Sequence, residues 1–259
     1  MQMSFKKCLP FLLIATSSIF AGNTVQCAPQ CPKEYIGPYG QSLDVGIQYA
    51  WFAFTSPPDF TGSTIGAMAR VTYQVPDQLF GQMRFAYNNG SLWSTQATSR
   101  NTDTYFDFLG GYCFNLNSQW TVTPYIGLGF DFITDNKAAY TDGITQVPAI
   151  KLHYQTDYAV AGFETRYSWC KWSIAGQFEW LPSFNQYLTI SNLDGSAWNM
   201  HWNSNYAIRI PVSYKISKCV WLEVAPFYRY FAIGSSDVLG LPERNMNQVG
   251  AFAALRFFL

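Results

Sequence analysis

The stretch Leu43-Asp44-Val45-Gly46-Ile47-Gln48-Tyr49-Ala50-Trp51 decides the fold. In an extended chain successive side chains point to opposite faces, so Leu43, Val45, Ile47, Tyr49 and Trp51 share one face and Asp44, Gly46, Gln48 and Ala50 the other. The pattern returns immediately. Ile65, Ala67, Ala69, Val71 and Tyr73 oppose Gly66, Met68, Arg70 and Thr72, and after the break at Pro76-Asp77, Leu79, Met83, Phe85 and Tyr87 oppose Gln82, Arg84 and Ala86.

The fourth segment sets Phe106, Phe108, Tyr112 and Phe114 against Asp107, Gly111 and Cys113, and the fifth sets Trp120, Val122, Ile126, Leu128 and Phe130 against Thr121, Thr123, Gly127, Gly129 and Asp131. The sixth, roughly 152–167, places Glu164 and Arg166 inward, and its upper half is expected to reverse phase unless a bulge intervenes. The seventh to tenth carry Glu179, Arg209, Glu223, Arg229 and Arg256 on the inward face beneath apolar outward rows. Ten segments is an even number, as a single-chain bacterial barrel requires.

Short connections at 76–78, 115–119, 168–171 and 217–219 alternate with long ones at 55–63, 88–103, 133–150, 182–203 and 234–245. Short turns on one rim and long loops on the other is the asymmetry of an outer-membrane barrel, whose turns face the periplasm. The expected fold is therefore all-β, a closed antiparallel transmembrane β-barrel of about ten strands. A soluble all-β protein would present a polar outer face, whereas this outward row stays aliphatic and aromatic in every segment.

Composition agrees. Of the 259 residues 49% are hydrophobic and 18% aromatic, while only 12% are charged, against roughly 25% in ordinary globular chains. The mean hydropathy of -0.03 shows apolar residues diluted by polar ones, which excludes a bundle of helices each needing about 20 apolar residues in a row. The aromatic load excludes a disordered tail, and sixteen basic against sixteen acidic residues exclude a polybasic nucleic-acid binder.

Ahead of the barrel, Lys6 and Lys7 precede the apolar run Leu9 to Ile14, and Ala15-Thr16-Ser17-Ser18-Ile19-Phe20-Ala21 follows. This order predicts a signal peptide over 1–21, cut after Ala21. A periplasmic N-terminal arm is expected over 22–40 and the barrel over 41–259.

On these grounds the chain resembles Gram-negative outer-membrane β-barrel proteins, the terminal strand Val249-Gly250-Ala251-Phe252-Ala253-Ala254-Leu255-Arg256-Phe257-Phe258-Leu259 included. The resemblance implies insertion into outer-membrane lipid by the barrel-assembly machinery, which reads a terminal aromatic residue in family members. Here Leu259 stands last and Phe258 before it.

The inward positions collect Asp44, Asp107, Asp131, Glu164, Glu179 and Glu223 against Arg70, Arg84, Arg166, Arg209, Arg229 and Arg256. Asp44 and Arg256 are expected to form an ion pair at the seam where first and last strands meet. Two readings of this lumen stand side by side. A small barrel is about filled by its own side chains, which makes the charges a polar core; alternatively Gly46, Gly66, Gly111, Gly127, Gly129 and Gly250 leave space for a narrow channel.

Catalytic patterns are weak. His201-Trp202-Asn203-Ser204 is similar to the His-x-Ser segment of outer-membrane phospholipases, but a spacing of three puts His201 and Ser204 on opposite faces. Asp103 with Asp107, and His153 with Asp157, resemble omptin protease acids and histidines, yet four residues of strand separate each pair by about 13 Å. No catalytic residue, metal site or cofactor is expected, and hydrolase activity, like adhesion through the aromatic outer loops, ranks behind the other readings.

Five cysteines survive signal cleavage: Cys27 and Cys31 in the arm, and Cys113, Cys170 and Cys219 at or beside short turns. All are placed on the periplasmic side, an oxidising compartment; a Cys27 to Cys31 bridge is the simplest pairing, and an odd number leaves at least one thiol free, paired to another chain or bound to something else. The pattern resembles the cysteine-crosslinked envelopes of chlamydiae and the disulfide-linked major outer-membrane proteins of legionellae. It implies a structural envelope component joined to envelope neighbours by disulfides, with a narrow porin as the alternative.

Overall fold

Strands with one apolar and one polar row satisfy both rows and lose their unpaired edges when the sheet closes on itself. The computed structural model describes residues 37–55, 59–94, 97–142, 145–191, 197–200, 203–235 and 244–259. Within them lie β1 (Gly40–Thr55), β2 (Phe60–Gln74), β3 (Gln78–Trp93), β4 (Thr98–Asn115), β5 (Trp120–Lys137), β6 (Tyr140–Asp142), β7 (Thr145–Val147), β8 (Ile150–Trp169), β9 (Trp172–Ile190), β10 (Ala197–Asn199), β11 (Ser204–Arg209), β12 (Val212–Lys215), β13 (Val220–Ile233) and β14 (Arg244–Phe258). Strands β6 and β7 pair only with each other, and β10 adds three residues to β9. Strands β11 and β12 act as one, since both pair with β9 and β13 in continuous register on either side of Ile210-Pro211. Pro211 has no N–H to give the ladder, which accounts for the gap.

The result is a closed antiparallel barrel of ten strands. Strand β14 pairs with β13 on one side and β1 on the other, and the closing register runs from Ser42 opposite Phe258 to Thr55 opposite Asn245. Every neighbouring pair is antiparallel and sequential, so each strand finds its partner through one turn or loop, the seam excepted.

The strands run further toward the loop rim than the alternation suggested. Strand β3 extends to Trp93 and β4 begins at Thr98, so the connection expected over 88–103 is mostly strand. The expected phase reversal in the sixth segment does not occur: Leu152, Tyr154, Tyr158 and Val160 are buried on the same inward face as Glu164 and Arg166. The irregularity lies on β9 instead, where Asp157 and Tyr158 face Asn185 and Ser183. Phe184 is the extra residue, 60% exposed, and it shifts the inward row of β9 from Glu179 and Leu181 to Gln186 and Leu188.

An apolar belt surrounds the wall. Ile47, Ile65, Leu79 and Ile126 are 63–72% exposed on its outer surface, a continuous patch that only a nonpolar surrounding accommodates. Trp120 packs on Tyr167 and Trp172 on Tyr214 near the short-turn rim, and Tyr206 stacks on Tyr230 on the opposite side of the belt. Two aromatic girdles therefore bound it, at the heights where amphipathic rings meet headgroups.

Beyond the upper girdle both faces change character. Outward positions become Ser63, Asn89, Thr102, Thr104, Thr134 and Asn247, while inward positions become Phe52, Phe60, Leu92, Ile133, Leu188 and Phe231, all buried in one apolar cluster. Below the girdle the barrel is polar inside and apolar outside. Above it the order is that of a water-soluble protein.

Candidate functional site

Among the described residues the lumen is where many charged side chains meet, and all twelve inward charges read from the alternation point into it. Near the short-turn rim, Arg256 Nε and Nη2 donate to the two Asp44 carboxylate oxygens at 2.9 and 3.0 Å, forming the bidentate seam pair. Arg70 Nε donates to Asp44 at 2.6 Å, and Arg70 and Arg256 reach the two oxygens of Glu223 at 2.5 and 2.8 Å. Two guanidiniums and two carboxylates thus close a neutral ring. Such a ring survives burial because each charge keeps its counter-charge and its hydrogen bonds.

Two further groups fill the same level and the one above. Glu164 accepts two bonds from Arg166, two positions along β8, and one each from Gln74 and Gln177. Glu179 accepts from Arg84 at 2.6 Å, Arg209 at 2.7 Å and the Tyr125 hydroxyl at 2.9 Å. Asp107 accepts from Arg84 at 3.0 Å and from the Tyr158 hydroxyl at 2.6 Å. Higher still, Arg229 donates to Asp131 at 2.7 Å and lies over the rings of Tyr105 and Phe231.

This packing leaves little room. The cavity lined by Gln48, Arg84, Tyr105, Glu179 and Arg229 holds about 20 Å³, space for roughly one water. The inward glycines do not widen it. A Cβ on Gly46 would stand 2.2 Å from the Ala253 carbonyl, on Gly129 2.2 Å from the Tyr158 ring, and on Gly250 2.8 Å from the Phe227 ring. Their space is already taken by neighbouring backbone and aromatic rings, which favours the polar-core reading of the lumen over the narrow channel.

Side chains stand in the bore toward both rims. At the short-turn rim Tyr39 is 3% exposed, with its hydroxyl 3.1 Å from Thr121 Oγ1, and it sits beneath the Glu164–Arg166 pair. Burial pushes the Tyr39 phenol above its ordinary value of 10.0, opposed by Arg166 and the Thr121 hydrogen bond. At the loop rim the apolar cluster closes the interior.

The cysteines separate by environment. Cys113 faces inward and is fully buried, while Cys170 is an exposed free thiol in the tight turn between β8 and β9. Cys219, beside the turn before β13, is not one of the free thiols. Cys27, Cys31, His201 and the expected signal segment 1–21 lie outside the described residues. Cys170 has φ of +49°, a left-handed conformation costing a side-chain-bearing residue roughly 1–2 kcal/mol relative to glycine.

The histidine and acids compared with omptins are not brought together. His153 faces outward, its Nδ1 3.0 Å from Thr134 Oγ1, whereas Asp103 and Asp107 face inward, so the wall separates them. Asp103 is a lumen residue that the sequence reading placed at a loop edge. The signal was present: Asn101, Asp103, Tyr105 and Asp107 continue one alternating row.

No family model matches the sequence, and no curated protein matches it. Solved structures do. The translocator domain of the autotransporter NalP from Neisseria meningitidis superposes with a TM-score of 0.52 at 6% identity, covering 97% of this chain and 95% of that one. The attachment invasion locus protein Ail of Yersinia pestis (TM-score 0.32, 10% identity, 84% and 99% covered) and the toluene transporter TodX of P. putida (0.36, 8%, 93% and 95%) also match. At these identities the likeness speaks for architecture alone. The chain has the fold of bacterial outer-membrane β-barrels.

Proposed function

We propose that this chain is a non-conducting, non-catalytic structural barrel of the bacterial outer membrane, joined to envelope neighbours by disulfides at its periplasmic rim. The filled lumen carries this reading: charge rings and an apolar cover are stacked above Tyr39, and the cavity among Gln48, Arg84, Tyr105, Glu179 and Arg229 holds about 20 Å³. A channel selective for ions or small solutes needs a continuous wet path, and side chains occupy that path at several successive levels.

The short turns take the periplasmic side in this reading, which puts the exposed Cys170 thiol in an oxidising compartment. A cysteine kept in a left-handed turn position, where Gly or Asn costs less, fits a role for the thiol itself. Two measurements test the proposal. Pure refolded protein in planar bilayers should give no conductance steps above background, and steady single-channel steps would establish the channel reading instead. Non-reducing electrophoresis of native envelopes should show the chain in high-mass species that collapse with reductant. A monomer band without reductant would end the linkage.

A further inference from the structure

Ten of the thirteen buried side-chain nitrogen and oxygen atoms without a hydrogen-bond partner among the described residues belong to one inward region, from Thr64, Asn88, Asn101, Asp103, Asp131, Arg229 and Gln248. Buried polar groups are normally paired, so so many orphans in one layer require an occupant. Asp103 and Asn88 are completely buried and face each other across β3 and β4, and the Asp103 carboxyl lies against the Asn88 amide and the Asp131 carboxyl. Asn101 is the next inward residue on the strand of Asp103. Asp131 is a diagonal neighbour on β5, with Oδ2 on Arg229 and Oδ1 unpartnered. Thr64 stands diagonal to Asn88 on β2. Such opposed and diagonal positions lie within about 8 Å of one another.

Charge points the same way. Six lumen arginines are matched by six carboxylates, and Asp103 is a seventh. The remaining inward acid, Asp135, has Ser99 and Lys137. Arg229 stands beside both the Asp103 and Asp131 carboxylates and answers only one of the two charges, and a buried charge left uncompensated is among the costliest a protein can hold. Six of the ten orphaned atoms are oxygens, two from Asp103, one from Asp131, the amide oxygens of Asn88 and Asn101, and the Thr64 hydroxyl, and the other four are nitrogens of Asn88, Asn101, Arg229 and Gln248. Among the described residues no three His, Cys, Asp or Glu side chains cluster, and the donors here are two carboxylates with amide and hydroxyl oxygens, which suit a hard cation rather than a transition metal.

We infer that Asp103, Asp131, Asn88, Asn101 and Thr64 hold a single hard cation of the calcium or sodium class beneath the apolar cover of the lumen. The ion supplies the counter-charge that Arg229 alone leaves short and gives the orphaned oxygens a common partner. It joins β2, β3, β4 and β5 in the part of the barrel that rises beyond the apolar belt.

The full chain, refolded from urea into detergent micelles in chelator-treated buffer with choline as the only other cation, is titrated with calcium or sodium chloride at constant ionic strength. Calcium or sodium should raise the melting temperature by about 5 °C or more near a hundredfold excess over Kd, and choline should not. The responding salt identifies the ion. Asp103→Asn should fold and melt at one temperature in all three salts. If that variant fails to fold, Asn101→Ala should raise the half-saturating concentration about tenfold through loss of one donor. Identical melting of the unaltered chain in all three salts overturns the site, as does a full cation shift retained by Asp103→Asn. Melting that responds to pH but to no cation replaces the ion with a proton shared between Asp103 and Asp131.

Discussion

Asp44 and Arg256, 212 positions apart, meet in a bidentate pair across the seam that closes the barrel. Both are buried, and Arg70 and Glu223 complete the ring around them. Asp44→Asn leaves both arginines with Glu223 alone and should cost about 3–5 kcal/mol. Because the charges act together, Asp44→Asn with Arg256→Gln should lose less than the two single changes added. Urea titration of folded protein in detergent or lipid measures both.

The cover over the lumen is a packed core in its own right. Phe231 is fully buried there, and Phe231→Ala should destabilise by about 3–5 kcal/mol. The same variant should stay silent in planar bilayers, because the Glu179 and Asp107 groups beneath still fill the bore. Conductance appearing on this one change would mean the cover alone is the seal.

Glycines divide by direction. A Cβ on outward Gly110 meets nothing within 4 Å, whereas one on inward Gly46 meets the Ala253 carbonyl. Gly110→Ala should be neutral or stabilise by about 0.5–1 kcal/mol, and Gly46→Ala should cost about 1–3 kcal/mol through overpacking. Paired unfolding curves decide it.

Cys170 should react with a hydrophilic maleimide in the folded barrel while Cys113 stays protected until denaturation, as their burial requires. Cys170→Gly should relieve the left-handed turn and gain roughly 1 kcal/mol, while removing any crosslink through this position. Mass spectrometry of labelled peptides and non-reducing gels read the two effects.

Tyr39 supplies a pH dependence. Its folded phenol titrates above 10.0, chiefly because it is buried. Below pH 10 both folded and unfolded forms keep the proton and the contribution is intact. As pH rises past 10 the unfolded form loses its proton first, so stability falls. Tyr39→Phe should flatten that alkaline limb and lose about 1 kcal/mol near neutrality with the Thr121 bond. Chymotrypsin sensitivity of the N-terminal arm between pH 8 and 11 follows the change.

Strand count, sidedness of the rows and the seam pair were all legible because a period of two assigns every residue from Leu43 to Trp51, and from Val249 to Leu259, to a face without ambiguity. What escaped was the end of the rule. Phe52, Leu92 and Ile133 are as apolar as Ile47, but they point inward, and hydrophobicity does not say which nonpolar surrounding a side chain meets. The same blindness turned Leu152 and Tyr154 into a supposed phase reversal and Asp103 into a loop residue. The bulge at Phe184 was displaced to the wrong strand, since a slip on either partner produces the same mismatch across the pair. Sealing the bore depended on side-chain contacts such as Tyr125 to Glu179, which no spacing encodes.

The change of surroundings at the upper girdle gives each long strand two opposite rules of substitution. Arginine introduced at Ile126 enters hydrocarbon at a cost of about 2–4 kcal/mol near the midplane, while arginine at Thr102, on the neighbouring strand, enters water. Inside, a charge at Gln48 joins other charges, and the same charge at Ile133 enters a dry core. Tolerance measured across such a barrel therefore inverts at one height on both faces at once, and that height, mapped by saturation mutagenesis, marks where the bilayer ends.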